Sequence, residues 1–206
     1  MTTKPGLLGF YNYTVVLTYT GLLVAFAGIC LTLNGSIFGG VLCLMVAGLC
    51  DMFDGAVAST RVRTRAEKRF GIQIDSLCDL VCFGVLPALL VGAVNERSLL
   101  SDIICALYVL CALIRLAYFN VLEEERQEET QEGRKSYLGL PVTTIALLIP
   151  IAFLADGVKL SGIVLLAVVG VAFLLPFRLP KPSRMGQLVI VVLGALEFGV
   201  LLLGVG

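Results

Sequence analysis

The chain has 206 residues, 58% of them hydrophobic and only 15% charged, with a mean hydropathy of +0.98. A soluble domain is nearer half apolar and a quarter charged, so composition excludes an ordinary soluble fold and indicates a polytopic membrane protein, read as one domain over residues 1–206. His is absent, which removes a Cys–His zinc site and any histidine base; a formal net charge of zero names no partner by itself, and nucleic acid is not expected as one.

Seven apolar runs approach the roughly 20 residues that a membrane helix needs. They cover 12–33, 36–56, 70–94, 99–121, 138–156, 159–177 and 186–204, the fifth and sixth near the short limit. Only Lys4 precedes the first run and no A-x-A site follows it, so the first run is expected to stay as a helix rather than be removed as a signal peptide. The seven Cys all lie in apolar runs without a CxxC pair and read as small buried hydrophobes.

The connections alternate in charge. Residues 55–69 hold Arg61, Arg63, Arg65, Lys68 and Arg69; residues 122–137 hold Arg126, Arg134 and Lys135 beside six Glu; residues 178–185 hold Arg178, Lys181 and Arg184. The intervening turns hold at most Arg97 or Lys159. Lys/Arg bias sets orientation, and Glu counts for little. The N-terminus and the three basic connections are therefore expected in the cytoplasm, with Gly206 outside. The acidic stretch after the fourth run reads as a solvated loop or helix extension. Pro176, Pro180 and Pro182 end the sixth helix and space the seventh.

Four carboxylates sit where the second run meets the third. Asp51 and Asp54 are i, i+3; Asp75 and Asp79 are i, i+4; each pair shares one helix face. An ionised Asp at the centre of a membrane helix costs roughly 2.5–3.5 kcal/mol. Four of them require compensation, and hard divalent cations with carboxylate-oxygen ligands supply it most economically. Arg115 is the one basic residue well inside a run; it either faces a polar cavity or snorkels. Thr18, Thr20, Thr143 and Thr144 could donate to a substrate or bond back to their own helices.

The run Asp51-x-x-Asp54-Gly55-x-x-Ala58, then Gly71-x-x-x-Asp75-x-x-x-Asp79, resembles the signature of the CDP-alcohol phosphotransferase family, DxxDGxxAR followed by GxxxDxxxD. Ser59 stands where the family has Arg, and the span from Asp54 to Gly71 is about three residues longer; Arg61 is taken as the substitute. Within the family, DSLCDLVCFGVLPALL, IRLAYFNV and GLP look most like phosphatidylserine synthases, although Tyr118 replaces the second Arg of their RLARFN.

The resemblance implies an all-α polytopic membrane helix bundle, a six-helix family core plus one C-terminal helix. It implies transfer of the phosphatidyl group from CDP-diacylglycerol to L-serine, with release of CMP. It makes Asp51, Asp54, Asp75 and Asp79 ligands to Mg2+ or Mn2+, two ions, with Asp79 also the general base. Gly55, Ala58, Arg61 and Gly71 then belong to the CDP side, and Arg115 to the serine carboxylate or lipid phosphate. A homodimer in a bacterial cytoplasmic membrane, among membrane lipids and with the site on the cytoplasmic side, is expected. Two alternatives stand: the same chemistry on glycerol 3-phosphate or an inositol phosphate, and a cation-coupled transporter using the acidic cluster as an ion path.

Overall fold

The computed structural model describes residues 9–95, 98–129, 136–180 and 183–204; Lys4, Arg97, Arg134, Lys135 and Lys181, which carry part of the charge argument, lie outside them. The helices are α1 (Val16–Leu33), α2 (Ile37–Ala58), α3 (Arg65–Asp79), α4 (Leu86–Val94), α5 (Leu99–Glu129), α6 (Ile145–Asp156), α7 (Leu160–Leu174) and α8 (Arg184–Gly204). α3 and α4 form one 30-residue unit, joined by a π turn at Leu80–Val85. Among the described residues, five units are long and apolar enough to cross a membrane: α1 with its first turn, α2, α3–α4, α5 and α8. α6 and α7 are apolar but shorter. The expected all-α membrane bundle is what the chain forms, with the seven runs realised as five long and two short helices.

The short pair has a local cause. Pro cannot donate to a helix ladder, and Pro141, Pro176 and Pro180 flank the two segments that leave it. β1 (Ser136–Leu138) pairs antiparallel with β2 (Arg178–Pro180), Ser136 opposite Pro180. Gly139, at φ +74°, turns the chain after β1, and its N–H donates to the Phe177 carbonyl at 2.6 Å. The fifth and sixth runs therefore begin later and end earlier than their apolar lengths suggest.

α3 starts at Arg65 rather than 70 because Thr64 and Glu67 form a capping box: the Glu67 N–H donates to Thr64 Oγ1 (3.2 Å) and the Thr64 N–H to Glu67 Oε2 (2.8 Å). Two orphan donors of the first turn are satisfied reciprocally. α5 runs on to Glu129 instead of stopping at 121. Gln73 Nε2 donates to Glu124 Oε1 at 3.1 Å, and Arg126 pairs with Glu123 at 2.5 Å, so the acidic stretch continues as helix at least that far.

The core lies where α1, α2, α4, α6 and α7 meet, with Ala25, Leu44, Leu86, Leu90, Ile145, Ile149 and Leu166 fully buried. In a bilayer, helices associate through close packing rather than a hydrophobic drive. α1 and α2 are the most intimate pair because glycines stand at their crossing. A Cβ on Gly28 would fall 2.6 Å from Cys43 Cβ, and one on Gly40 only 2.2 Å from Thr32 Oγ1 and 2.7 Å from Leu90 Cδ2. Thr32 cannot swing away freely, since its hydroxyl donates to the Gly28 carbonyl at 2.8 Å.

The π turn is likewise tied to one residue. Pro87 has no N–H for the Phe83 carbonyl one turn back. That carbonyl instead accepts a 2.6 Å hydrogen bond from Tyr108 Oη. Tyr108 is buried and tilts against Phe173 at 5.6 Å, so α4, α5 and α7 lock around the break. Overpacking a tight crossing costs about 1–3 kcal/mol. Gly40→Ala is therefore expected to lower the midpoint of thermal unfolding in detergent; an unchanged midpoint contradicts this account of the α1–α2 contact.

Candidate active site

The α2–α3 link brings the two halves of the acidic motif together. Asp51 and Asp54 come from the last two turns of α2, and Asp75 and Asp79 from the last two turns of α3. One oxygen each of Asp51, Asp54 and Asp75 lies within 4.8 Å of the other two. Asp79 is outside that mutual set but lies within hydrogen-bonding reach of Asp51. All four side chains are partly sheltered. Among the described residues, none of the four forms an ion pair with Lys or Arg.

Hydroxyls, not cations, face these carboxylates from the protein. Thr18 Oγ1, on α1, donates to Asp54 Oδ2 at 3.2 Å. Thr143, in the 3-10 turn Val142–Thr144 that precedes α6, lies within reach of Asp51. Sequence left Thr18 and Thr20 equivalent. The structure separates them, because Thr20 bonds back to the Val16 carbonyl at 2.8 Å.

The remaining expected residues divide. Gly55 follows Asp54 on α2, and a Cβ built there meets nothing within 4 Å. It is not a helix-packing glycine; it borders open space beside the carboxylates. Ala58 is the last residue of α2 and half-buried. Gly71 lies one turn before Asp75 on α3, with the Arg63 Nη1 3.1 Å from where its Cβ would stand. Arg61 pairs with Glu67 Oε1 at 3.4 Å at an exposed surface, one turn further from Asp75 than Gly71 is.

Arg115 is buried on α5. Its Nε donates to the Leu140 carbonyl at 3.3 Å, and its guanidinium lies over Phe119 at 5.6 Å. It therefore borders the loop that leads directly to Thr143, rather than snorkelling outward. A second polar group lies on the other side of α3, which sequence did not single out. Ser76 Oγ donates to Asn120 Oδ1 at 2.6 Å, and Asn120 Nδ2 to Gln73 Oε1 at 3.3 Å.

The donor set fits a hard divalent cation. It is all carboxylate oxygen, converges within a few ångströms, and among the described residues is not ion-paired to a Lys or Arg. Carboxylates held this close in a low-dielectric bundle repel one another until a proton or a bound cation neutralises part of the charge.

A family profile described as CDP-alcohol phosphatidyltransferase matches residues 11–177. The chain is 39% identical over 112 residues to the CDP-diacylglycerol–serine O-phosphatidyltransferase of Saccharomyces cerevisiae, covering 53% of this chain and 40% of that protein. It is 31% identical over 163 residues to the archaetidylserine synthase of Methanothermobacter thermautotrophicus, 78% of this chain and 66% of that one. It is 32% identical over 109 residues to the CDP-diacylglycerol–serine O-phosphatidyltransferase of Bacillus subtilis, 52% and 55%. The matches thus span about half the length of these relatives.

Losing a residue that orients a metal ligand typically weakens the site by about 10–100-fold. Thr18→Val is expected to lower Mn2+ affinity, read by electron paramagnetic resonance of free Mn2+, by about tenfold, while Thr20→Val leaves it unchanged. Equal affinities in wild type and Thr18→Val contradict the positioning role of Thr18.

Proposed function

The chain belongs to the CDP-alcohol phosphatidyltransferase family, and from that premise we propose that it transfers the phosphatidyl group of CDP-diacylglycerol to the hydroxyl of L-serine, forming phosphatidylserine and CMP. The convergence of Asp51, Asp54 and Asp75 oxygens within 4.8 Å is the observation that carries the reading. The serine relatives named above support the acceptor.

Asp51, Asp54, Asp75 and Asp79 hold the metal ions, and Asp79 is also the general base. Two Mg2+ or Mn2+ ions, when bound, neutralise the pyrophosphate and the charge that develops on the attacking and leaving oxygens. The serine Oγ forms the new P–O bond, the P–O bond to CMP breaks, and the hydroxyl proton passes to Asp79. With His absent from the chain, a carboxylate is the base at hand. The open face at Gly55, with Ala58 and Gly71 nearby, leaves room for the CDP moiety to approach the helix backbones. The Thr18 and Thr143 hydroxyls fix carboxylate orientation, so positioning rather than covalent work carries catalysis.

Arg115 is the only fully buried basic residue among those described. One such charge suits the carboxylate of serine better than a phosphorylated alcohol, which needs more cationic groups. Family membership removes the ground for a transporter. We place the site on the cytoplasmic side, following the Lys/Arg bias, and take the membrane as bacterial from the family resemblance alone. We also propose a homodimer through α3 and α5. Exposed Leu77, Leu113 and Val121 flank a cleft there of about 300 Å3 floored by Gln73, Ser76 and Asn120, a face that a second copy could cover.

CMP release from CDP-diacylglycerol in the presence of Mn2+ is expected with L-serine and not with glycerol 3-phosphate or inositol phosphate. Release driven by a phosphorylated alcohol instead overturns the acceptor assignment. Removing a general base typically costs 10²–10⁴-fold in rate. Asp79→Asn is therefore expected to lower turnover by about that factor, while equilibrium dialysis shows retained binding of CDP-diacylglycerol; near-normal turnover rules out Asp79 as the base.

A further inference from the structure

The two arginines of the α2–α3 link do different work, and we infer that Arg63 binds the pyrophosphate of the nucleotide-activated lipid while Arg61 fastens the link. The inference rests on the function proposed above and assigns to Arg63 a role that sequence spacing gave to Arg61.

Arg61 is committed to a structural cluster. Its Nη2 lies 3.4 Å from Glu67 Oε1. The other oxygen of Glu67 closes the capping box with Thr64. Asn12 Nδ2 reaches the same Glu67 Oε1 at 3.4 Å. Tyr13 and Thr60 hydroxyls meet at 3.0 Å, and Phe10 packs edge-on against Phe70 at 5.4 Å. The segment before α1 is thus strapped to the start of α3, and Arg61 belongs to that strap.

Arg63 folds inward instead. Its side chain is half-buried, whereas Arg61 and Val62 are exposed. The Nη1 lies 3.1 Å from the position a Cβ would take on Gly71, an approach tighter than ordinary van der Waals contact. Gly71 and Asp75 share a helix face one turn apart, about 5–6 Å between side-chain origins. The guanidinium therefore stands at the rim of the carboxylate cluster. Among the described residues it has no ion-pair or hydrogen-bond partner. A planar guanidinium in that position can take two phosphate oxygens in a bidentate fork. Asp75 stays on the metal side, and Arg63 meets the same anion from the link. The two arginines meet the same face of α3 at different levels: Arg61 reaches Glu67, two turns before Asp75, and Arg63 reaches Gly71, one turn before it. A plain membrane-surface anchor extends toward solvent and headgroups; Arg63 does not.

The test is CDP binding by calorimetry in Mn2+, with the KM for CDP-diacylglycerol measured on the same detergent-purified protein. Arg63→Ala is expected to weaken CDP binding by about tenfold or more and to raise KM, with size-exclusion profile and Mn2+ affinity retained. Arg63→Lys keeps the charge without the fork and is expected to recover part of the loss. Gly71→Ala, which displaces the guanidinium, is expected to weaken CDP binding more in the wild-type background than in Arg63→Ala. Lys68→Ala, on the exposed side of α3, leaves CDP affinity unchanged. Wild-type CDP affinity in Arg63→Ala, or an equal loss in Lys68→Ala, overturns the assignment while leaving the proposed function standing. A wild-type protein that binds no CDP overturns both.

Discussion

Mutual repulsion among carboxylates gathered inside an apolar bundle is the constraint around which the other features fall into place. Three of them bring oxygens within 4.8 Å of one another, and the fourth reaches Asp51. Isolated in hydrocarbon, each charge costs roughly 2.5–3.5 kcal/mol even on lenient scales, and crowding adds to that. The described residues do not ion-pair the carboxylates with arginines; the Thr18 and Thr143 hydroxyls and the open face at Gly55 border them instead. Such an arrangement is poorly suited to an empty site and well suited to one that takes up cations together with an anionic substrate.

Holding that cluster together needs rigid walls. α1 and α2 meet through Gly28 and Gly40, which brings Thr18 to Asp54. The capping box fixes where α3 begins, and hence the rotation that turns Asp75 and Asp79 toward α2. Directly after Asp79 the helix passes through a π turn, a feature often found beside functional sites. Here it lets α4 continue past Pro87 while the freed Phe83 carbonyl is taken by Tyr108. The β1–β2 ribbon does the same for the opposite wall: it sets the path of residues 139–144, placing Leu140 against Arg115 and Thr143 near Asp51.

Much of this could be read from the residues alone. The i, i+3 and i, i+4 spacings of the Asp pairs demanded a common face, and a short link between two helices demanded that the faces meet. Gly55 and Gly71 were recognisable as small positions by their place in the motif. Other features depend on partners distant in sequence. The π turn requires Pro87 to be considered with Tyr108, 21 positions apart. The ribbon pairs two three-residue strands separated by α6 and α7, too short to leave a period-2 pattern. The length of α5 reflects Glu124 meeting Gln73 and Glu123 meeting Arg126, which selects helix extension from the two readings, loop or extension, that polar composition left open. The partition of Arg61 and Arg63 turns on which level of α3 each one meets, and spacing alone carried no signal for it. Thr18 and Thr20 are alike as residue types and differ only in the direction each faces.

The most direct measurement is location of Mn2+ by anomalous scattering in crystals of the protein grown with CDP. The account predicts anomalous density among the side chains of Asp51, Asp54 and Asp75, with Asp79 bordering it. Density absent from that cluster, or found only at other acidic residues such as those near the end of α5, contradicts the claim that two helices pool their carboxylates around shared cations.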